Sequence, residues 1–139
     1  MSAAAEFVRG FAAAWSPPVS AAGLAALIHP EGVLVTPLMS RAVGRAAAER
    51  QFGRLLRRIP DLHADVGRWA GDEDALFVEI ELVGSVARRE LAWPAIDRFL
   101  LRDGLIAERV SYFDPLPLVL ESLKRPAGLP AMLALRRRP

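Results

Sequence analysis

The chain of 139 residues contains no cysteine. Disulfides, thiolate catalysis and Cys-type zinc or iron–sulfur sites are excluded together, which fits a reducing compartment and makes the cytoplasm the expected location. Lysine is nearly absent too. Lys124 is the single one among 18 basic residues, and the net charge is only +2, so the pI of 9.9 reflects arginine usage and not a large positive field. Acidic residues are interspersed with Arg through most of the chain, and a phosphate-binding stripe for nucleic acid is not expected. Arg136-Arg137-Arg138 is the local exception and reads as a solvated tail. No run reaches the roughly 18–20 apolar residues that cross a bilayer, and Glu6 and Arg9 interrupt the N-terminus where a secretory signal would be apolar. Only two histidines are present, His29 and His63, without His-x-x-Glu or Glu-x-x-His spacing. No metal and no cofactor are expected.

What is present is a hydrophobic fraction of 53% against 24% charged, enough for a packed core in a chain sized for one domain. Phe7, Phe11 and Trp15 recur at helical spacing until Ser16-Pro17-Pro18. Ser20 caps a second short predicted helix through Leu24, Leu27 and Ile28, stopped by Pro30, with His29 as a helix-end residue. Val33-Leu34-Val35-Thr36 reads as a strand and Arg41–Gly44 as loop. A third helix follows, with Ala48, Phe52, Leu55, Leu56 and Ile59 on one face and Arg45, Glu49, Arg54, Arg57 and Arg58 on the outer one.

From Pro60-Asp61 to Asp114 the period changes to two. Leu62, Ala64 and Val66 alternate with His63 and Asp65 up to Trp69, and Leu76, Val78, Ile80 and Leu82 alternate with Phe77, Glu79 and Glu81. Gly71-Asp72, Gly84-Ser85 and Asp103-Gly104 supply turns, the last as a hairpin. Pro94 marks a bulge or an edge in the strand that carries Trp93, Ile96 and Phe99. The last strand runs from Leu105 to Phe113, and a closing helix lies near Leu118 to Leu123. Helices first and a consecutive antiparallel sheet afterwards define an α+β fold over residues 1–124, with a Pro- and Arg-containing tail over 125–139. A curved sheet closed by three helices encloses a hollow suited to a small apolar ligand. Ile106, Val110 and Tyr112 share one side of the last strand by strict alternation, and an apolar outer face there implies a homodimer.

These ordered features resemble the nuclear transport factor 2-like superfamily, with its cystatin-like cone, and in particular the SnoaL-like branch. The resemblance is carried by the Phe7–Trp15 helix, Val33–Pro37, Gly44-Arg45-Ala46-Ala47, Pro60-Asp61-Leu62, Ile96-Asp97-Arg98-Phe99, Asp103-Gly104-Leu105-Ile106 and Tyr112-Phe113-Asp114-Pro115. It implies a cone-shaped α+β barrel, dimerisation through the sheet, and membership beside polyketide cyclases, ketosteroid isomerases, epoxide hydrolases, dehydratases and non-catalytic adaptors. Fold does not settle function among these.

Asp97 matches the isomerases' oxyanion-hole acid. Thr36, before Pro37, stands where their base is an aspartate, and Phe11 stands where they have a tyrosine, so two of three roles have lost their chemistry. Against the limonene epoxide hydrolases, Ser111 replaces one catalytic aspartate, Glu79 falls on the arginine, Glu81 on the other aspartate, Thr36 on the asparagine and Leu34 on the tyrosine. This register turns Glu79, Glu81, Trp93, Asp97, Arg109 and Ser111 toward the cavity. Two readings follow. In one, Asp97 donates a proton, Glu79 or Glu81 is the base and Arg109 orients them in cofactor-free isomerase, cyclase or hydrolase chemistry on an apolar or polycyclic compound. In the other, Glu79 and Glu81 lie on a solvated or interface face, Asp97 is the partner of Arg109 or Arg88, and the chain is a non-catalytic binding or dimerisation module. Trp15, Phe11, Thr36, Phe52, Trp69, Trp93, Ser111 and Phe113 are the expected ligand-binding wall.

Overall fold

The computed structural model describes residues 1–124, so the arginine triplet of the tail lies outside the described residues. Helix α1 (Ala3–Ala14) starts at Ser2, whose hydroxyl oxygen accepts the Ala5 N–H at 3.1 Å, and it buries Ala4, Phe7, Val8 and Phe11. Helix α2 (Ala21–Ala25) is capped the same way by Ser20. It stops before the expected end, because Ile28 already pairs with Ile106 and opens strand β1 (Ile28–Val35). His29 therefore sits in a strand, its Nδ1 accepting the Glu31 N–H, and not at a helix end. Ala42–Val43, expected as loop, forms β2 against Val33 and Leu34. Helix α3 (Arg45–Arg58) turns Ala48, Gln51 and Phe52 inward, as its amphipathic spacing requires.

Four long strands follow: β3 (His63–Gly71), β4 (Leu76–Val86), β5 (Arg89–Arg102) and β6 (Leu105–Tyr112), then helix α4 (Leu116–Lys124). They join β1 and β2 in one six-stranded sheet of order β2-β1-β6-β5-β4-β3. All neighbours are antiparallel except β1 and β6, which run parallel. The core lies between the inner face of this curved sheet and the helices. There Phe11 has its ring 5.2 Å from Phe99, 5.8 Å from Phe7 and 6.4 Å from Trp15. Stacked packing against Phe7 and edge-on packing against Trp15 and Phe99 add about 0.5–1.5 kcal/mol per pair to the area buried.

Turn chemistry shifts in two places. Asp103 and Gly104 take positive φ in the β5–β6 hairpin as their residue types predict, but Gly84-Ser85 is inside β4 and the β4–β5 turn is made by Ala87 and Arg88 at φ 51° and 70°. Gly84 serves packing instead, since a Cβ there would collide with Ile59. Pro94 pairs with Glu81 of β4 and lies beyond Ile96, the last β5 residue that β6 reaches, so β5 has an open edge on its β6 side at the proline.

A bulge decides which way β6 faces. Leu101 pairs with Ile106 but Leu100 pairs with Glu108, leaving Ala107 as an extra residue. Ile106 therefore turns into the core, 3% exposed, while Val110 and Tyr112 face out, which corrects the expectation that all three share a side.

Asp61, in the α3–β3 connection, accepts both the Ser85 hydroxyl at 2.7 Å and the Ser85 N–H at 2.9 Å. These bonds favour the charged form and hold the Asp61 carboxyl below its usual value. A depressed folded value contributes stability that is present above the unfolded aspartate range, near pH 4, and lost as pH falls through the lower folded value. Acid titration of urea stability is expected to show this loss below about pH 4. Asp61→Asn is expected to flatten that part of the profile, with a smaller effect at pH 7 than at a buried site because Asp61 is exposed.

Candidate functional site

Alternation along β5 turns Trp93, Ala95, Asp97 and Phe99 inward, and the bulge in β6 turns Arg109 and Ser111 to the same side. The register sets Asp97 opposite Ser111 and Phe99 opposite Arg109, so the Arg109 and Asp97 side chains meet on the diagonal. Arg109 Nε and Nη2 donate to Asp97 Oδ2 at 2.8 and 2.7 Å, and Ser111 Oγ donates to Oδ1 at 2.6 Å. The Asp97 side chain is 0% exposed and that of Arg109 is 7%. Aromatic faces complete the shell: the Arg109 guanidinium carbon is 5.9 Å from the ring centres of both Phe11 and Trp15. Cation–π attraction adds to the pairing there. Desolvating either ion alone costs several kcal/mol, so each is held by the other.

Beside this pair is a small apolar hollow of about 70 Å³. Trp15, Thr36, Phe52, Trp93, Arg109, Ser111 and Phe113 line it, as expected, and Leu38, Met39 and Leu118 border it from the loop after β1 and from α4. Phe11 is packed beneath Arg109 and does not reach the hollow. Trp69 is also outside. A register shift between Val66 and Trp69 comes where β3 runs out along the sheet edge, leaving the indole 40% exposed.

Glu79 and Glu81 are on the opposite face of the sheet. Leu76, Val78, Ile80 and Leu82 are the buried alternation of β4, so its carboxylates must point outward, and the expected placement of Glu79 and Glu81 in the cavity is corrected. Glu79 makes a two-point pair with Arg68 at 3.1 and 3.2 Å, which keeps its carboxyl below the usual value. Glu81 faces Asp65 across the strands. His63 is partly exposed on β3 with Nδ1 2.9 Å from the Asp61 carbonyl, and His29 is in β1, so neither reaches the hollow.

Among the described residues, Arg109 is the only ionisable side chain lining the hollow, and no group of three or more His, Asp or Glu is placed to hold a metal. Trp93 Nε1 has no hydrogen-bond partner among those residues, and Arg109 Nη1 is the guanidinium nitrogen that the Asp97 contacts leave unused. Sequence reasoning missed Gln51, whose Nε2 donates to the Ser40 carbonyl at 2.6 Å and pins the loop to α3. Its polar type on the apolar face of a helix was the available signal. No described helix is long and apolar enough to cross a membrane.

A curved six-stranded sheet packed on helices in this order is the fold of the nuclear transport factor 2-like and ketosteroid isomerase-like proteins. A SnoaL-like domain model matches residues 6–109, and the chain belongs to that family. An LEH-like epoxide hydrolase from M. tuberculosis is 20% identical, with 94% of this chain and 95% of that one covered at a TM-score of 0.71. A protein of ketosteroid isomerase-like fold from Catenulispora acidiphila, solved with trimethylamine, is 21% identical over 78% and 85%, TM-score 0.72. An NTF2-like protein of unknown function from Burkholderia pseudomallei is 16% identical over 86% and 97%, TM-score 0.74. At these identities the likeness shows the fold. No curated protein matches the chain.

Removing one member of the buried pair strands the other. Asp97→Ala is expected to lower urea stability by about 3–5 kcal/mol, and the double variant Asp97→Leu with Arg109→Met to recover most of it. Equal losses in the single and double variants would refute the pairing.

Proposed function

We propose that this chain binds a small, uncharged, largely apolar molecule in the hollow, and that an oxygen acceptor on that molecule meets Arg109 Nη1 or Trp93 Nε1. The observation that carries this reading is the chemistry of the wall: the unpartnered Trp93 Nε1, apolar surface, and no carboxylate or imidazole among the described lining residues. Asp97 cannot act as a free base while both its oxygens are engaged by Arg109 and Ser111. General base catalysis needs a group within hydrogen-bond reach of the proton it removes, and Glu79 and Glu81 are on the far side of the sheet. Binding without catalysis is therefore the favoured reading over isomerase, cyclase or hydrolase chemistry.

Charge and size narrow the ligand. Arg109 already occupies the cationic position over Phe11 and Trp15, which disfavours an ammonium compound of the kind bound by the Catenulispora acidiphila relative. The Asp97–Arg109 pair is neutral as a unit, so a carboxylate would bring an uncompensated charge into a low-dielectric site. Ligand pockets for larger compounds run to about 300–1,000 Å³, and the 70 Å³ here suits a handful of non-hydrogen atoms. A polycyclic compound exceeds it. Saturable binding of cyclopentanone, followed by tryptophan fluorescence and NMR, is the expected result. Thr36→Phe, which fills the hollow, is expected to abolish it while leaving the fold intact. Absence of binding by a panel of small ketones and esters would end this reading.

A second copy of the chain is the proposed partner. On the outer face, Ile96 and Tyr112 border an open trough of about 650 Å³, with Phe77 and Leu100 also exposed on that face. Exposed apolar side chains at this density favour coverage by another sheet. Sedimentation velocity is expected to give a dimer at micromolar concentration and a monomer for Tyr112→Glu. A monomeric wild-type protein would contradict it.

A further inference from the structure

Charge is shared unevenly along this chain. Residues 1–121 hold 13 of the 18 basic residues and all 16 acidic ones, a net −3, whereas residues 122–139 hold Lys124, Arg125, Arg136, Arg137 and Arg138 and no acid. The whole-chain value of +2 averages two unlike parts. Large apolar residues are interleaved with these last cations, at Leu123, Leu129, Met132, Leu133 and Leu135. A strong charge asymmetry of this kind points to a polyanionic or membrane surface as partner.

Helix α4 leads into that basic stretch, and it has two faces. Leu118 and Glu121 are buried, Leu118 against the hollow and Glu121 with its Oε1 3.5 Å from Arg89 Nη1 at the start of β5. Leu116, Leu120 and Leu123, at i, i+4 and i+7, share the other face and are 54%, 47% and 62% exposed. A row of leucines left in water after the inner face has been satisfied marks a contact surface. Arg88, in the adjoining β4–β5 turn, is exposed as well. A nucleic acid would meet the arginines and leave the leucines wet. A bilayer with anionic headgroups answers both, because an interfacial helix sinks its apolar row below the headgroups while basic residues remain among them. At nine residues α4 is about 13 Å long, enough to lie on such a surface and too short to cross it.

We propose that Leu116, Leu120 and Leu123 of α4, with the basic segment that follows them in sequence, dock this protein on an anionic lipid surface. The surface is separate from the outer-face trough offered to a second copy, because Leu118 sets α4 on the hollow side of the sheet. Docking is independent of what the hollow binds.

The test is co-sedimentation of the full chain with vesicles of phosphatidylcholine alone and of phosphatidylcholine mixed with phosphatidylglycerol. Binding to the mixed vesicles, far weaker binding to the neutral ones, and release as salt is raised are the expected results. Arg136→Gln, Arg137→Gln and Arg138→Gln are each expected to weaken binding about fivefold. Leu120→Ser combined with Leu123→Ser is expected to weaken it about tenfold, with thermal unfolding unchanged because both side chains are exposed. Wild-type vesicle affinity in that leucine variant overturns the proposal, since charge attraction alone would then account for binding. Equal binding to neutral and anionic vesicles, or binding to neither, also overturns it. A gel shift of duplex DNA without vesicle binding assigns the basic segment to nucleic acid instead, and loss of self-association in the leucine variant without vesicle binding assigns the stripe to a second copy; each of these outcomes overturns it as well.

Discussion

The buried ion pair between Asp97 and Arg109 is the constraint to which the middle of this fold answers. Neither ion is tolerable alone in a shell of Phe11, Trp15 and Phe99, so β5 and β6 must hold the register that brings them together. That register in turn requires the bulge at Ala107, without which Arg109 and Ser111 would face outward. Replacing the two ions by apolar residues would serve stability as well. Their retention beside an apolar hollow is consistent with a polar element kept for recognition.

The same pair sets the chemistry of the hollow. With its carboxylate oxygens engaged by Arg109 and Ser111, Asp97 neutralises Arg109 and offers the hollow no free carboxylate. On the proposed reading, the unused Arg109 nitrogen or Trp93 Nε1 meets a ligand oxygen. A family in which this scaffold supports cyclases, isomerases and hydrolases is thus represented here by a site whose charged residues are committed to one another.

Much of this was legible in the residue order. The 3.6-residue period of α3, the alternation of β4 and the Asp103-Gly104 turn depend on local sequence, and the helical spacing that turns Phe52 inward puts it on the wall of the hollow. What escaped was set by non-local geometry. Alternation distinguishes two faces of β4, but reading Glu79 and Glu81 into the cavity followed a family register when the buried Leu76, Val78, Ile80 and Leu82 already indicated the inner face. Ile106 was misplaced because one extra residue in β6 reverses the parity that strict alternation assumes. The α3 arginines were visible as an outer face.

The parallel pairing of β1 with β6 has a consequence for the order of assembly. Val35 and Val110 are neighbours in the sheet though far apart along the chain, so closing that contact carries the loop entropy of everything between. On the ribosome β1 and β2 emerge early, and their bonding edge must stay unpaired until β6 has been synthesised. The β3–β4–β5 meander, built from local hairpins, can form first and act as the template. The two N-terminal strands then join last in space what came early in time, with α1 and α2 held in waiting beside them.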